Sequence, residues 1–190
     1  MLGMRTLCLG LLLLLVGCAS SPEVKPDPIQ EYLSLLREPA APVPGGEAAA
    51  RRAVEGFADF YENLSEENVA GKVDRTYSED VFFYDTLKLV RSRPELSQYM
   101  LETARNTESV KATILDVASS GGDYYVRWVM EIRLKKFKKG QTLTSVGVTH
   151  LRFDPEGKIS LHYDYWDSTA GFFEHVPLVG GVLRWIKSKF

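Results

Sequence analysis

Cysteine is nearly missing from this chain. Of 190 residues only Cys8 and Cys18 carry a thiol, so everything after residue 18 lacks a disulfide, a thiolate nucleophile and a cysteine-based metal site. Histidine is almost as scarce: His150, His162 and His175 show no i, i+4 pair and no clustered carboxylates, so no metal site is readable and no cofactor is expected. An excess of one charge is absent too. Twenty-three basic residues face 25 acidic ones for a net charge of -2, without the basic stripe that would mark a nucleic-acid partner. There is no phosphate-cradling glycine pattern, no nucleophile elbow and no internal repeat. The longest apolar run, 7–16, falls short of the roughly 20 residues a membrane-spanning helix needs.

What is present begins with an export signal. "MLGMRTLCLGLLLLLVGCASS" places one charge at Arg5, then the apolar run, then small residues, which is the layout of a secretory signal. Leu15-Val16-Gly17-Cys18 resembles the lipobox of bacterial lipoproteins. That resemblance implies removal of residues 1–17 and lipidation of Cys18, for instance by palmitate; the alternative is an ordinary cleaved signal with an incidental cysteine. Several acyl chains on one cysteine hold a protein stably on a membrane, whereas one chain alone is marginal. Ala19 stands where an aspartate would imply inner-membrane retention, so the resemblance implies a cell-envelope lipoprotein on the outer membrane, facing the periplasm.

Residues 18–46 read as a lipidated, proline-rich tether, with prolines at 22, 26, 28, 39, 42 and 44 before Gly45-Gly46. Within it, 29–37 has Ile29, Leu33 and Leu36 on one helical side, a segment too short to be stable alone. The folded unit is expected over 47–190, since 45% apolar and 25% charged residues suit one ordinary domain plus appendages.

Helical spacing of Val54, Phe57, Tyr61 and Leu64 predicts a first helix, and Val69, Val73 and Tyr77 a second. Ser92, Pro94 and Glu95 form a capping-box signature for a third helix running to about residue 106, with Leu96, Tyr99 and Met100 inward. "DVFFYD" between the second and third helices is rich in strand formers. Thereafter the period switches to two: "VKATILDVA", "YYVRWVMEIRLKKF", "LTSVGVTHLRF" and "KISLHYDYWD" predict four strands joined by short, antiparallel connections. The class is α+β, with three N-terminal helices packed on a curved antiparallel sheet.

These helices, these strands and the motifs "YSEDVFFYD", "THLRFDPEGKIS" and "DYWD" together resemble the nuclear transport factor 2 and SnoaL-like superfamily over roughly the whole domain. The resemblance implies a cone whose sheet wraps around an apolar cavity. An ungapped comparison with ketosteroid isomerase through "YSEDVFFYD" puts the general-base aspartate on Asp85 and the oxyanion-hole tyrosine on Tyr61. The second oxyanion donor of that enzyme falls on Thr149 through "THLRF". A threonine hydroxyl is a far weaker acid than the protonated aspartic acid there, so the isomerase acid set is incomplete. The resemblance also turns Tyr99, Trp128, Met130, Ile132, Thr149, His162, Asp164 and Trp166 toward the ligand.

Each residue also has a plainer reading. Tyr61 suits a core position, Asp85 suits a turn, Trp128 and Trp166 suit core walls, and His162 with Asp164 suits a rigidifying pair. The tail, "STAGFFEHVPLVGGVLRWIKSKF", predicts a short C-terminal helix with Val179, Val182, Leu183 and Ile186 on one side. A lid over the cone is favoured, with a membrane contact as the alternative. Three readings follow: an anchored domain binding a small hydrophobic, lipid-like ligand without turnover; an isomerase or lyase using Asp85 and Tyr61; and a module that forms a homodimer through the outer sheet face.

Overall fold

The computed structural model describes residues 27–136 and 138–190. The expected signal segment and Cys18 lie outside the described residues.

Three helices cover one face of a bent sheet. They are α2 (Gly46–Tyr61), α3 (Glu66–Thr76) and α4 (Arg93–Asn106), preceded by a short α1 (Pro28–Leu35). The inward stripe of α2 follows the sequence periodicity, with Val54, Phe57 and Tyr61 buried and Phe60 buried beside them. Ser65 caps α3 by accepting the Asn68 N–H at 3.2 Å. Ser92 caps α4 by accepting the Glu95 N–H at 3.4 Å, while the Glu95 carboxylate reaches back to the Arg91 N–H. α4 stops at Asn106 because Thr107 already adopts extended backbone.

The strands are β1 (Tyr77–Tyr84), β2 (Leu89–Val90), β3 (Thr107–Ser120), β4 (Asp123–Leu134), β5 (Thr142–Phe153) and β6 (Ile159–Trp166). Their order is β2-β1-β6-β5-β4-β3. The four expected strands run antiparallel as β3-β4-β5-β6, and β1 joins β6 in parallel, which makes the whole sheet mixed. The crossover between β1 and β6 contains α4 and four further strands, so no short turn announces that pairing in sequence. Register shifts in β3 at 107–109 and 114–116 and in the β5–β6 pair bend the sheet. Tyr77, expected on the second helix, begins β1 instead, with its ring fully buried. The chain ends with α5 (Ser168–Gly171), a 3-10 turn (Phe173–His175) and α6 (Val179–Lys187).

Within the stretch read as a tether, α1 docks on the convex sheet face. Tyr32, rather than Ile29 or Leu33, is its inward residue: it is 5% exposed, while Ile29 and Leu33 face solvent. Its ring stacks on Tyr163 at 4.0 Å, and its hydroxyl accepts from Tyr165 at 2.7 Å and pairs with His150 Nδ1 at 2.6 Å. His150 Nε2 pairs with Asp123 at 2.7 Å, and Arg152 donates to Asp123 at 2.6 Å while holding the carbonyls of Leu35 and Glu38. A helix of eight residues is not stable alone, so this aromatic and ionic clamp is what supports it. Val43, further along the same segment, is buried in the main core.

Candidate functional site

Alternation along β4 sends Val126, Trp128, Met130 and Ile132 to the concave face. Their register partners on β5 are Thr149, Gly147, Ser145 and Leu143, and Thr149 and Gly147 pair in turn with Asp164 and Trp166 on β6. The stretch "SLHYDYWD" therefore divides as alternation requires: His162, Asp164 and Trp166 point to the helices, and Tyr163 and Tyr165 point to α1. Gly147 sits between two indoles. A Cβ there would lie 2.4 Å from Trp128 Cζ2 and 2.9 Å from Trp166 Cβ, so only glycine lets both rings share that row.

Above this face lies a cavity of about 400 Å³, bounded by α4, β3, β4, the end of β6 and Phe172. Eight of the ten expected ligand-binding or catalytic residues meet there: Tyr61, Asp85, Tyr99, Trp128, Met130, Ile132, Asp164 and Trp166. Thr149 and His162 stand one layer behind, because their side chains end on Asp164. Thr149 donates to Asp164 Oδ1 at 2.5 Å and accepts the Trp128 indole N–H at 2.8 Å. His162, 1% exposed and ringed by Phe57, Tyr61, Tyr77 and Phe83, brings Nε2 to 3.0 Å from the same oxygen. Its Nδ1 pairs with the Tyr77 hydroxyl at 3.1 Å, which pairs with the Tyr61 hydroxyl at 2.8 Å.

This chain of contacts has a direction. Where His162 donates Nε2–H to the Asp164 carboxylate and keeps Nδ1 as an acceptor, Tyr77 donates to Nδ1 and Tyr61 donates to Tyr77. Every proton then points toward Asp164, and Tyr61 offers the cavity lone pairs rather than a hydrogen. Burial, together with Tyr77 and Asp164 nearby, also pushes the Tyr61 hydroxyl well above its ordinary pKa. Both effects oppose the oxyanion-donor role that the isomerase resemblance implies.

Asp85 combines its two sequence readings. Oδ1 accepts the N–H groups of Leu87 at 2.9 Å and Lys88 at 2.8 Å, which makes an Asx turn between β1 and β2. Oδ2 accepts the Tyr99 hydroxyl at 2.5 Å, inside the cavity. Burial raises the carboxyl above its ordinary value, the Tyr99 bond works against that rise, and the Asp164 charge adds to it. Trp166 donates its indole N–H to the Asp85 carbonyl at 2.9 Å, tying the end of β6 to this turn.

Sequence pattern gives Tyr77 only a helical position and Gly147 no role at all. A tyrosine at helical spacing looks like core, and an isolated glycine in a strand signals only close approach. α6 does not line the cavity; it packs on the 3-10 turn, and Phe172 in the preceding segment is the residue that closes over the hollow. Among the described residues no group of three His, Cys, Asp or Glu side chains could hold a metal ion, and no helix is long and apolar enough to cross a membrane.

The sequence profile of the SnoaL-like domain matches residues 57–162. No curated protein matches the chain in sequence. Among solved structures, it is similar to an epoxide hydrolase of the LEH-like type from M. tuberculosis, at 17% identity and TM-score 0.54, over 75% of this chain and 95% of that one. A protein with a ketosteroid isomerase-like fold from Catenulispora acidiphila, solved in complex with trimethylamine, aligns at 17% identity and TM-score 0.54 over 63% of this chain and 88% of its own. A nuclear transport factor 2-like protein of unknown function from Exiguobacterium aligns at 14% identity and TM-score 0.52 over 60% and 98%.

Proposed function

Because the chain belongs to the SnoaL-like domain family, whose fold it displays, we propose that it binds a small molecule with an apolar body in the hollow between α4 and the concave sheet face. The observation that carries this reading is the cavity of about 400 Å³ between Trp128, Met130, Ile132 and Trp166, with the Asp85 and Asp164 carboxylates set into a mostly apolar wall whose exposed rim carries Glu102, Asn106 and Lys136. Ligand pockets share that size range and that pattern of few polar groups in an apolar lining. Native mass spectrometry of the full chain tests it. A non-covalent small molecule that co-purifies, or an added apolar one retained at unit stoichiometry, supports the reading; a chain that retains neither contradicts it.

The reading includes the membrane. Lipidation at Cys18 would hold the cavity within a tether's length of the outer membrane, where apolar molecules partition. Metabolic labelling with an alkyne fatty acid is expected to mark the wild-type chain and to miss Cys18→Ser.

A second reading, isomerase or lyase chemistry with Asp85 as general base, is favoured by one observation: Asp85 faces the cavity with its carboxyl raised by burial. It needs a proton donor opposite, and the Tyr61 hydroxyl is already paired with Tyr77. Binding without turnover is therefore preferred. An Asp85→Asn chain that keeps all activity on every accepted ketone would end the catalytic reading.

A further inference from the structure

We propose that the ligand of this cavity is an organic cation, an ammonium group carried on a small apolar body. The proposal rests on the cavity reading above and adds the sign of the ligand's charge.

Neither interior carboxylate has a lysine or arginine partner among the described residues; their donors are hydroxyls, backbone N–H groups and one imidazole. Asp164 accepts from Thr149 and His162 on Oδ1, and no described residue bonds its Oδ2, although the residue lines the cavity and its side chain is 12% exposed. Asp85 accepts two backbone N–H groups and the Tyr99 hydroxyl. No arginine lines the hollow among the described residues, and its one lysine, Lys136, is solvent-exposed, as is Glu102. Hydrogen bonds from neutral groups stabilise a carboxylate, yet they leave its charge uncompensated in a poorly solvated space.

The walls favour the same sign. Tyr61, Phe83, Tyr99, Trp128, Trp166 and Phe172 all line the space, and aromatic faces attract cations, most strongly when the cation is desolvated. In the tautomer with Nε2–H of His162 on Asp164, the Tyr61 oxygen presents lone pairs as well. An anionic ligand would meet two carboxylates, and a neutral one would leave them as they are. A hard metal ion needs more oxygen ligands than are gathered here. A quaternary or tertiary ammonium, weakly hydrated and apolar at its rim, fits both the carboxylates and the rings.

The test compares benzyltrimethylammonium with neopentylbenzene, which has carbon in place of the charged nitrogen at nearly the same shape. The full chain carries Trp185→Phe and is held in lipid nanodiscs, so that the remaining indoles, Trp128 and Trp166, report from the cavity wall. Empty nanodiscs are subtracted. The expected result is a Kd for the ammonium at least about tenfold below that of the hydrocarbon, with the difference lost in Asp164→Asn and reduced in Asp85→Asn. The wild-type comparison stands even if either variant folds poorly. Equal or tighter binding of the hydrocarbon overturns the cation assignment and leaves the cavity reading intact. If neither compound changes the indole signal, the cavity reading itself falls, and this inference with it.

Discussion

Thr149→Val is the substitution that isolates the polar chain behind the cavity. The two side chains have nearly the same shape, so no void opens, and what is lost is the hydroxyl. Trp128 is 3% exposed, and its indole N–H would be left without an acceptor, which costs about 1–3 kcal/mol. The charge-assisted bond to Asp164 disappears as well, a contribution of about 1.5–3 kcal/mol, partly offset because His162 still donates to the same oxygen. The expected net loss is about 2–4 kcal/mol. For a domain of this size each kcal/mol lowers Tm by about 2–4 °C, so thermal unfolding followed by near-UV circular dichroism should show a fall of roughly 4–16 °C. Thr149→Ser keeps the hydroxyl and should fall by less than about 1.5 kcal/mol. A Val variant as stable as the wild type would refute the idea that this hydroxyl joins Trp128 to Asp164.

Three further outcomes follow from the same geometry. Gly147→Ala forces a methyl group to 2.4 Å from Trp128 and should cost about 1–3 kcal/mol in urea unfolding, while displacing that indole and weakening binding in the cavity. Tyr99→Phe removes the hydrogen bond that opposes the rise of Asp85, so carbonyl NMR should find the Asp85 carboxyl titrating at higher pH than in wild type. Burial holds His150 below its ordinary pKa of 6.5, so the unfolded chain binds the proton more readily, and stability should fall as pH drops below about 6.5. Asp123 acts lower still: burial would raise it, but Arg152 and His150 together hold it below its ordinary 3.8, so its contribution is present above that value and lost beneath it. A slope between pH 7 and 5 that is unchanged in His150→Gln would exclude the histidine as its source.

Local rules made much of this fold readable. Strict alternation from Val126 to Ile132 identified the concave face of β4, and Ser92 with Glu95 marked the start of α4, because both depend on near neighbours. The parallel pairing of β1 with β6 depends on residues some 80 positions apart and leaves no such trace. Helical spacing put Ile29, Leu33 and Leu36 on one side of α1, yet Ile29 and Leu33 face solvent and Tyr32 is the buried residue, with Leu36 packed beside it, since the sheet offers stacked tyrosines and a buried histidine. The site was legible as a set of types and faces: Asp85, Tyr99, Trp128, Met130, Ile132, Asp164 and Trp166 do meet in one hollow. What alternation could not separate is depth. Thr149, His162 and Asp164 share a face, but only Asp164 reaches the cavity, because the other two are turned onto its carboxylate.

Methyl NMR tests the ligand-binding account most directly. With the Met130 and Ile132 methyl groups labelled in the full chain, saturating benzyltrimethylammonium or neopentylbenzene should give intermolecular NOEs to both, and to the Trp166 ring. Contacts confined to the exposed side chains of α6, such as Val182 and Ile186, with Met130 and Ile132 unmoved, would contradict it.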